Sequence, residues 1–336
     1  MRRNLVLLLA PIILIVTSVQ SAHAQQEENL TVNNPVVSYQ FGESILFQAQ
    51  IVMPNTSGEV YLLLHADDGD TQVIPVHPDT SGNISETYAV NQGIIPPFST
   101  IYYRYRINLQ NGQELQSPEF TFTYTDNLFT QEISAGEITV HWYNGDLAFG
   151  QTVLNVSQRS LQHIQELLTL SKINPIHIYI YATNAEQTRA LGSGQPNSSG
   201  GHANLKLRIA FAVIAPGAEQ GLEMDQKIPH ELAHILMYDM LGERYFKLPI
   251  WLSEGTAARM ELSTNPDYST ALRLAESNST IIPISALCGS FPLESEKSLL
   301  AYAESESFTK YLINKFGQSG FITLSNAYGD GLDCNQ

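Results

Sequence analysis

The chain has 336 residues, with 17 Lys+Arg against 33 Asp+Glu and only two Cys. That length suggests about two domains of roughly 100–200 residues. Charged residues make up 15 %, well under the roughly 25 % of soluble domains, which excludes a coiled coil or a charged disordered chain. A net charge of −16 provides no broad basic surface for a phosphate backbone, so nucleic acid is not an expected partner. No Cys-x-x-Cys pair is present, so any metal must be held by His and carboxylate.

Arg2 and Arg3, the apolar run Leu5–Val16 and the small-x-small triplet Ala22-His23-Ala24 predict a signal peptide over residues 1–24. A permanent anchor is the weaker reading, because a spanning helix needs about 20 apolar residues. No second run of that length follows. The expectation is a secreted protein, extracellular or periplasmic, with no stable membrane insertion after cleavage. Export exposes Cys288 and Cys334 to oxidation. They either close one loop near the C-terminus or remain two thiols, since sequence does not provide the Cα separation a disulfide requires.

Residues 26–126 read as a β-sandwich domain. Ser44–Met53, Glu59–His65, Gln72–Val76, Thr100–Gln110 and Glu119–Thr125 alternate with period 2 and are separated by turn residues. Asn111-Gly112 predicts a type I′ hairpin, which needs positive φ at both central residues. The Arg/Tyr alternation of Tyr102–Arg106 reads as a strand showing one face to water. The stretch Pro96–Tyr105 resembles the part of a fibronectin type III domain that carries its tyrosine corner. This implies an all-β immunoglobulin/fibronectin-III-like sandwich with a role in holding a surface partner.

A hinge is predicted at Asp126–Ser134, and the second domain occupies 130–336. Glu137–Tyr143 and Pro175–Tyr181 read as strands and Phe149–Leu170 as an amphipathic helix. Leu191–Gly201 is a Gly/Ser-rich loop, and Leu205–Ala215 a strand. From about 226 the period is helical, ending with Ser295–Phe316, which Gly317 terminates.

The chemistry concentrates at 228–254. Ile228-Pro229-His230-Glu231-Leu232-Ala233-His234 contains His-Glu-x-x-His. On a helix, His residues four apart lie one turn apart on one face, so both imidazoles can reach one ion. Glu231 lies beside them as a proton acceptor. Pro229 fits a helix that begins there, whereas in mid-helix it would cost roughly 3 kcal/mol. Twenty residues after His234, Glu254 stands in Pro249-Ile250-Trp251-Leu252-Ser253-Glu254-Gly255. A carboxylate in so apolar a segment is penalised unless something pairs with it.

These residues resemble the gluzincin metallopeptidases, including thermolysin and the aminopeptidase-N family, and the overall arrangement is most similar to peptidase MA-like domains. The resemblance implies an α+β zincin-like fold and one Zn²⁺ held by His230, His234 and Glu254. It also implies a metal-bound water activated by Glu231. Tyr302–Leu312 resembles the helix whose first tyrosine hydrogen-bonds the tetrahedral oxyanion, which makes Tyr302 a second catalytic candidate. The alternative for Tyr302 is a core tyrosine beside Leu299, Phe308 and Leu312. The Gly-x-Met-Glu-Asn element with which aminopeptidases capture a free N-terminus is absent. Gly200–Asn204 and the strand Leu205–Ala215 stand in its place, and such a strand suits an extended peptide bound by an endopeptidase. His202 reads as a loop histidine. The sequence therefore predicts a secreted zinc peptidase, probed against two rivals. One is a non-catalytic binding protein with a structural metal, and the other is an aminopeptidase.

Overall fold

A computed structural model of the chain describes residues 29–52, 58–67, 69–90, 95–191 and 201–334. The predicted signal segment and most of the predicted loop Leu191–Gly201 lie outside these residues. None of the described helices is long and apolar enough to cross a membrane.

The first unit consists of β1 (Val32–Gln40), β2 (Ser44–Ile51), β3 (Gly58–Ala66), β4 (Gln72–Val76), β5 (Asn83–Ala89), β6 (Thr100–Leu109), β7 (Glu114–Gln116) and β8 (Phe120–Thr123). They form two antiparallel sheets, β1-β2-β5 and β4-β3-β6-β7, with β8 also on β6. Ile45, Phe47, Leu62, Tyr103 and Tyr105 fill the space between them, and the Phe47 and Tyr103 rings meet at 5.1 Å. Along β6 the inward set is Ile101, Tyr103, Tyr105 and Ile107, while Arg104 and Arg106 face outward. Arg106 lies over the Tyr61 ring at 5.4 Å. The Arg/Tyr alternation is thus one strand with a wet face.

Two local expectations are corrected here. Strands β1 and β5 were not foreseen: both are sheet edges, and their polar outer faces (Asn33, Asn34 and Pro35 open β1) hide the alternation. The Asn111-Gly112 hairpin is not type I′. Gly112 has φ +84° while Asn111 stays out of the left-handed region. Gly112 N–H donates to Leu109 C=O at 2.9 Å, a type I turn followed by a left-handed glycine. In the stretch Pro96–Tyr105, the buried hydroxyl of Tyr105 has no hydrogen-bond partner among the described residues.

The second unit is built on a five-stranded sheet of β9 (Gln131–Ala135), β10 (Ile138–Trp142), β11 (Ile176–Tyr181), β12 (Gly201–Asn204) and β13 (Ile209–Val213). The order is β12-β13-β11-β10-β9, with β10, β11 and β13 parallel and both edges antiparallel. The helices are α1 (Leu147–Leu168), α2 (Asn184–Leu191), α3 (Gln220–Leu241), α4 (Ile250–Met260), α5 (Tyr268–Asn278) and α6 (Ser295–Gly329). Asp146 caps α1 by accepting from Phe149 N–H at 2.9 Å. Gly317 ends the helical run that begins at Ser295, as expected: its φ of 70° and ψ of 177° are non-helical, and the remainder of α6, to Gly329, is a second helical run beyond this kink.

Of the predicted strand Leu205–Ala215, Ile209–Val213 is strand β13, while residues 205–208 are the turn that joins it to β12. Asn204 Oδ1 accepts from Leu207 N–H at 3.1 Å, and Arg208 turns at φ +57°. The Arg208 guanidinium then binds the carbonyls of Asn174 and Pro175 and pairs with Asp239 of α3. The outer strand of the sheet is therefore β12, while β13 lies inside it.

The predicted hinge is not a loose connection, because part of it is β9. Asp126 is buried and accepts from the Tyr181 hydroxyl at 3.3 Å. Helices α1 and α3 cover one face of the central sheet, and the sandwich covers part of the other. There Phe98 meets Tyr179 at 4.2 Å and Phe211 at 5.1 Å. Phe98 holds a left-handed φ of 64°, unfavourable by roughly 1–2 kcal/mol for an L-residue and offset by burying its ring between the units. Across this face runs a cross-strand row, Glu132, His141, Tyr179, Phe211 and His202. His202 is thus a strand residue stacked on Phe211.

Cys288 and Cys334 form a disulfide with Cα atoms 6.4 Å apart, closing a separation of 46 residues. It ties the end of α6 to the segment whose Cys288 carbonyl receives Ile250 N–H, at the start of α4. Paired Cys288→Ser and Cys334→Ser substitutions are expected to lower unfolding free energy by about 2–4 kcal/mol, measured by urea denaturation. Burial, aided by His177, pushes His141 down to about 4 from 6.5. The unfolded chain takes up this proton first as pH falls, so His141 contributes stability above about 6.5 that is lost toward 4. His141→Phe keeps a ring on Tyr179 and should flatten that part of the stability–pH curve.

Candidate metal centre

His230 and His234 occupy successive turns of α3, and both are buried at 7 % and 9 % exposure. The helix does not begin at Pro229, as the sequence suggested. It begins at Gln220 and carries Pro229 in its interior. A proline there removes the N–H that would bond the carbonyl four residues back, which is Asp225. That carbonyl instead accepts Leu262 N–H at 2.8 Å.

Glu254 arrives on α4. Trp251, 2 % exposed, anchors this helix against Phe308 at 4.9 Å and Tyr328 at 6.1 Å. Gly255 allows α4 to cross α6 closely, because a Cβ there would fall on the Ser305 carbonyl and Thr309 hydroxyl. Glu254 Oε2 lies 3.3 Å from His230 Nε2, and Oε1 lies 3.7 Å from His234 Nε2. Two ligands at about 2.0–2.1 Å from one ion in a tetrahedral arrangement stand about 3.3 Å apart. His230, His234 and Glu254 all place a ligand atom within 4.8 Å of one another. The donor set of two imidazoles and one carboxylate fits a divalent transition ion and leaves a coordination position open.

Each imidazole has a partner on its other nitrogen. His230 Nδ1 is 3.1 Å from Glu261 Oε1, and His234 Nδ1 is 2.8 Å from Tyr245 Oη. With Nδ1–H donated to these oxygens, each Nε2 lone pair faces the shared point. Sequence reasoning missed both partners. Glu261 had a signal: it lies seven residues, two turns, after Glu254, so helical spacing puts it on the same face. Tyr245 had none, since it sits in a 3-10 turn (Gly242–Lys247) that folds back under α3.

Glu231 is also buried, at 5 % exposure. Its Oε1 occupies the space where a Cβ on residue 201 would stand, so a side chain at the start of β12 would push the carboxylate from its present position. Tyr302 of α6 places its ring 6.3 Å from His230 and hydrogen-bonds Glu254. The five residues singled out by sequence thus converge. His202 does not join them: it lies on the sheet face opposite the one whose Gly201 borders Glu231.

Three carboxylates, Glu231 buried and Glu254 and Glu261 partly buried, set the electrostatics. Burial pushes Glu231 up to about 8 and His234 down to about 4. Burial opposes charge on His230 too, but hydrogen bonds to Glu254 and Glu261 override it and raise His230 well above its usual value. Glu254 is held down to about 2: burial works against this, and the two histidines outweigh it. Positive charge is therefore drawn to the point between His230 and Glu254. In the metal-free chain a proton on His230 supplies it, and a dication satisfies the same field more fully.

The family model of the Peptidase MA superfamily matches residues 156–336. No curated protein matches the chain in sequence. Among solved structures, a mutant of the M1 zinc metallopeptidase from Deinococcus radiodurans is similar at 14 % identity. The match covers 90 % of this chain and 87 % of that one, with a TM-score of 0.37. A β-1,3-glucan-binding domain of carbohydrate-binding module family 56 is similar over 27 % of this chain and 98 % of its own, at 14 % identity and a TM-score of 0.20.

Tyr245→Phe removes the oxygen that orients His234 while keeping the ring. Zinc affinity, measured by competition with a chelator, should fall about tenfold or more, with the thermal midpoint of the metal-free chain little changed.

Proposed function

The chain belongs to the Peptidase MA superfamily, and from that premise we propose that it is an exported zinc-dependent peptidase acting as an endopeptidase. The observation that carries this reading is the convergence of His230, His234 and Glu254 on one point, with the Glu231 carboxylate buried alongside. A structural metal needs the three ligands but has no use for a fourth, unliganded carboxylate packed against Gly201.

His230, His234 and Glu254 would hold the ion, with Glu261 and Tyr245 keeping both imidazoles in the liganding tautomer. A divalent ion bound there supplies Lewis acidity, polarising a carbonyl and making water a nucleophile near neutral pH. Glu231 takes the proton released and returns it to the leaving amine. Its burial raises its proton affinity toward the working range of a general base. Tyr302 is proposed to donate its O–H to the developing oxyanion, for which its present hydrogen bond to Glu254 holds it close.

The open edge of the sheet supports the endopeptidase reading. Among the described residues β12 pairs only with β13, so the backbone of Gly201–Asn204 can receive an extended peptide. Such a strand continues past the site in both directions, unlike a pocket that captures a terminal amine. An N-terminal amine would instead need a carboxylate of its own. For the first unit, the strand orders β1-β2-β5 and β4-β3-β6-β8 support a fibronectin-III-like sandwich over 26–126, beside a peptidase domain over 130–336. The sandwich lies behind the sheet and leaves its helical face to the site, which suits a module that engages a surface partner. The signal segment 1–24 and the disulfide favour an oxidising, extracytoplasmic location.

The test is metal content by mass spectrometry with a peptide-library digest. Wild type should hold about one zinc and cleave internal bonds, and Glu254→Ala should lose the zinc. Glu231→Gln should keep it and cut nothing. A wild-type chain that holds no zinc under conditions that load a known zinc peptidase would make the site a chance pattern and leave the non-catalytic binding protein as the reading.

A further inference from the structure

Liganding chemistry does not ask for a proline one residue before His230, and a helix interior is where proline is least tolerated. Yet Pro229 stands inside α3 with ten helical residues from Gln220 through Pro229 and the two histidines after it. Its consequence is visible one turn earlier. The Asp225 carbonyl has lost its partner along the helix, and the proline ring tilts such a carbonyl outward.

Leu262 N–H fills that position at 2.8 Å. This bond stops α4 at Met260 and turns Glu261 into an extended conformation, φ −55° and ψ 135°. The same aspartate grips the segment a second time, accepting from Ser263 Oγ at 3.1 Å. Immediately before these anchors, Glu261 is 7 % exposed by its side chain and meets His230 Nδ1 at 3.1 Å. The chain of contacts therefore runs from Pro229 to Asp225, to Leu262, to Glu261 and back to His230.

We propose that Pro229 is a positioning residue for the metal centre: by vacating the Asp225 carbonyl it docks the end of α4 on α3 and so sets Glu261 against His230. The proline's helix penalty is local, and the return is an imidazole fixed with Nε2 toward Glu254. This rests on the zinc-site reading above, and the experiment separates the two.

Pro229→Ala, Glu261→Gln and the double variant are compared with wild type for zinc affinity by chelator competition and for thermal midpoint without metal. Pro229→Ala should bind zinc about tenfold or more weakly while melting no lower than wild type, because alanine suits a helix interior better. Adding Pro229→Ala to Glu261→Gln should weaken zinc no further, as expected for two residues acting through one contact. Unchanged zinc affinity in Pro229→Ala, or losses that simply multiply in the double variant, would overturn the proposal. Hydrogen exchange of the metal-free chain decides it even if wild type holds no zinc, an outcome that would defeat only the peptidase reading. The Leu262 amide should be protected in wild type and exchange faster in Pro229→Ala, and equal rates would refute the link.

Discussion

Two buried imidazoles, the buried Glu231 and the partly buried Glu254 and Glu261 crowd together, and the apolar core beside them screens that charge poorly. Leu232, Ala233, Ile235 and Leu236 are all fully buried on the same helix. Ionised groups in such surroundings must be paired, protonated or bound to a cation. This requirement explains the arrangement of everything near the site. Glu254 and Glu261 take opposite nitrogens of His230, and Tyr245 takes the outer nitrogen of His234. Glu231 is left with neither ligand nor cation, against the backbone of β12. The cluster is stable only as a set, which makes a divalent ion its natural complement.

Rigid supports hold that set in register. Helix α3 is clamped by the Arg208–Asp239 pair at one end and by the Asp225–Leu262 bond near the other. Helix α4 is seated by Trp251, crosses α6 at Gly255 and begins at a carbonyl tethered by the disulfide. The sandwich contributes from behind. Its Phe98, together with Phe129 from the connecting segment, packs on Tyr179 and Phe211, so the face of the sheet opposite the helices is buried as well. The edge strand β12 is thus carried by a sheet braced on both faces.

Some features were legible because they depend on local spacing alone. The four-residue step from His230 to His234 needs only helical geometry to bring two imidazoles together, and the alternation of β6 needs only a pleated strand. Where neighbours decided, local reading failed. Pro229 reads as a helix start until Leu262, thirty-three residues on, is seen to occupy the carbonyl it vacates. Leu205–Ala215 reads as one strand because the turn that ends at Arg208 is held by Asn174, Pro175 and Asp239, none of them close in sequence. Edge strands β1 and β5 were hidden because one covered face imposes only a weak pattern.

The sequence alone marked His230, His234 and Glu254 as candidate ligands, Glu231 as a candidate base beside them, and the two-part organisation, since each follows from periodicity or from short motifs. Tertiary structure alone decided that Cys288 and Cys334 meet, that Glu261 and Tyr245 complete the imidazoles, and that β12 rather than β13 is the open edge. The division has a physical cause. Helix and strand periods act over a few residues, whereas hydrogen-bond satisfaction in a buried site is settled by whichever distant segment the packed core brings within about 3 Å.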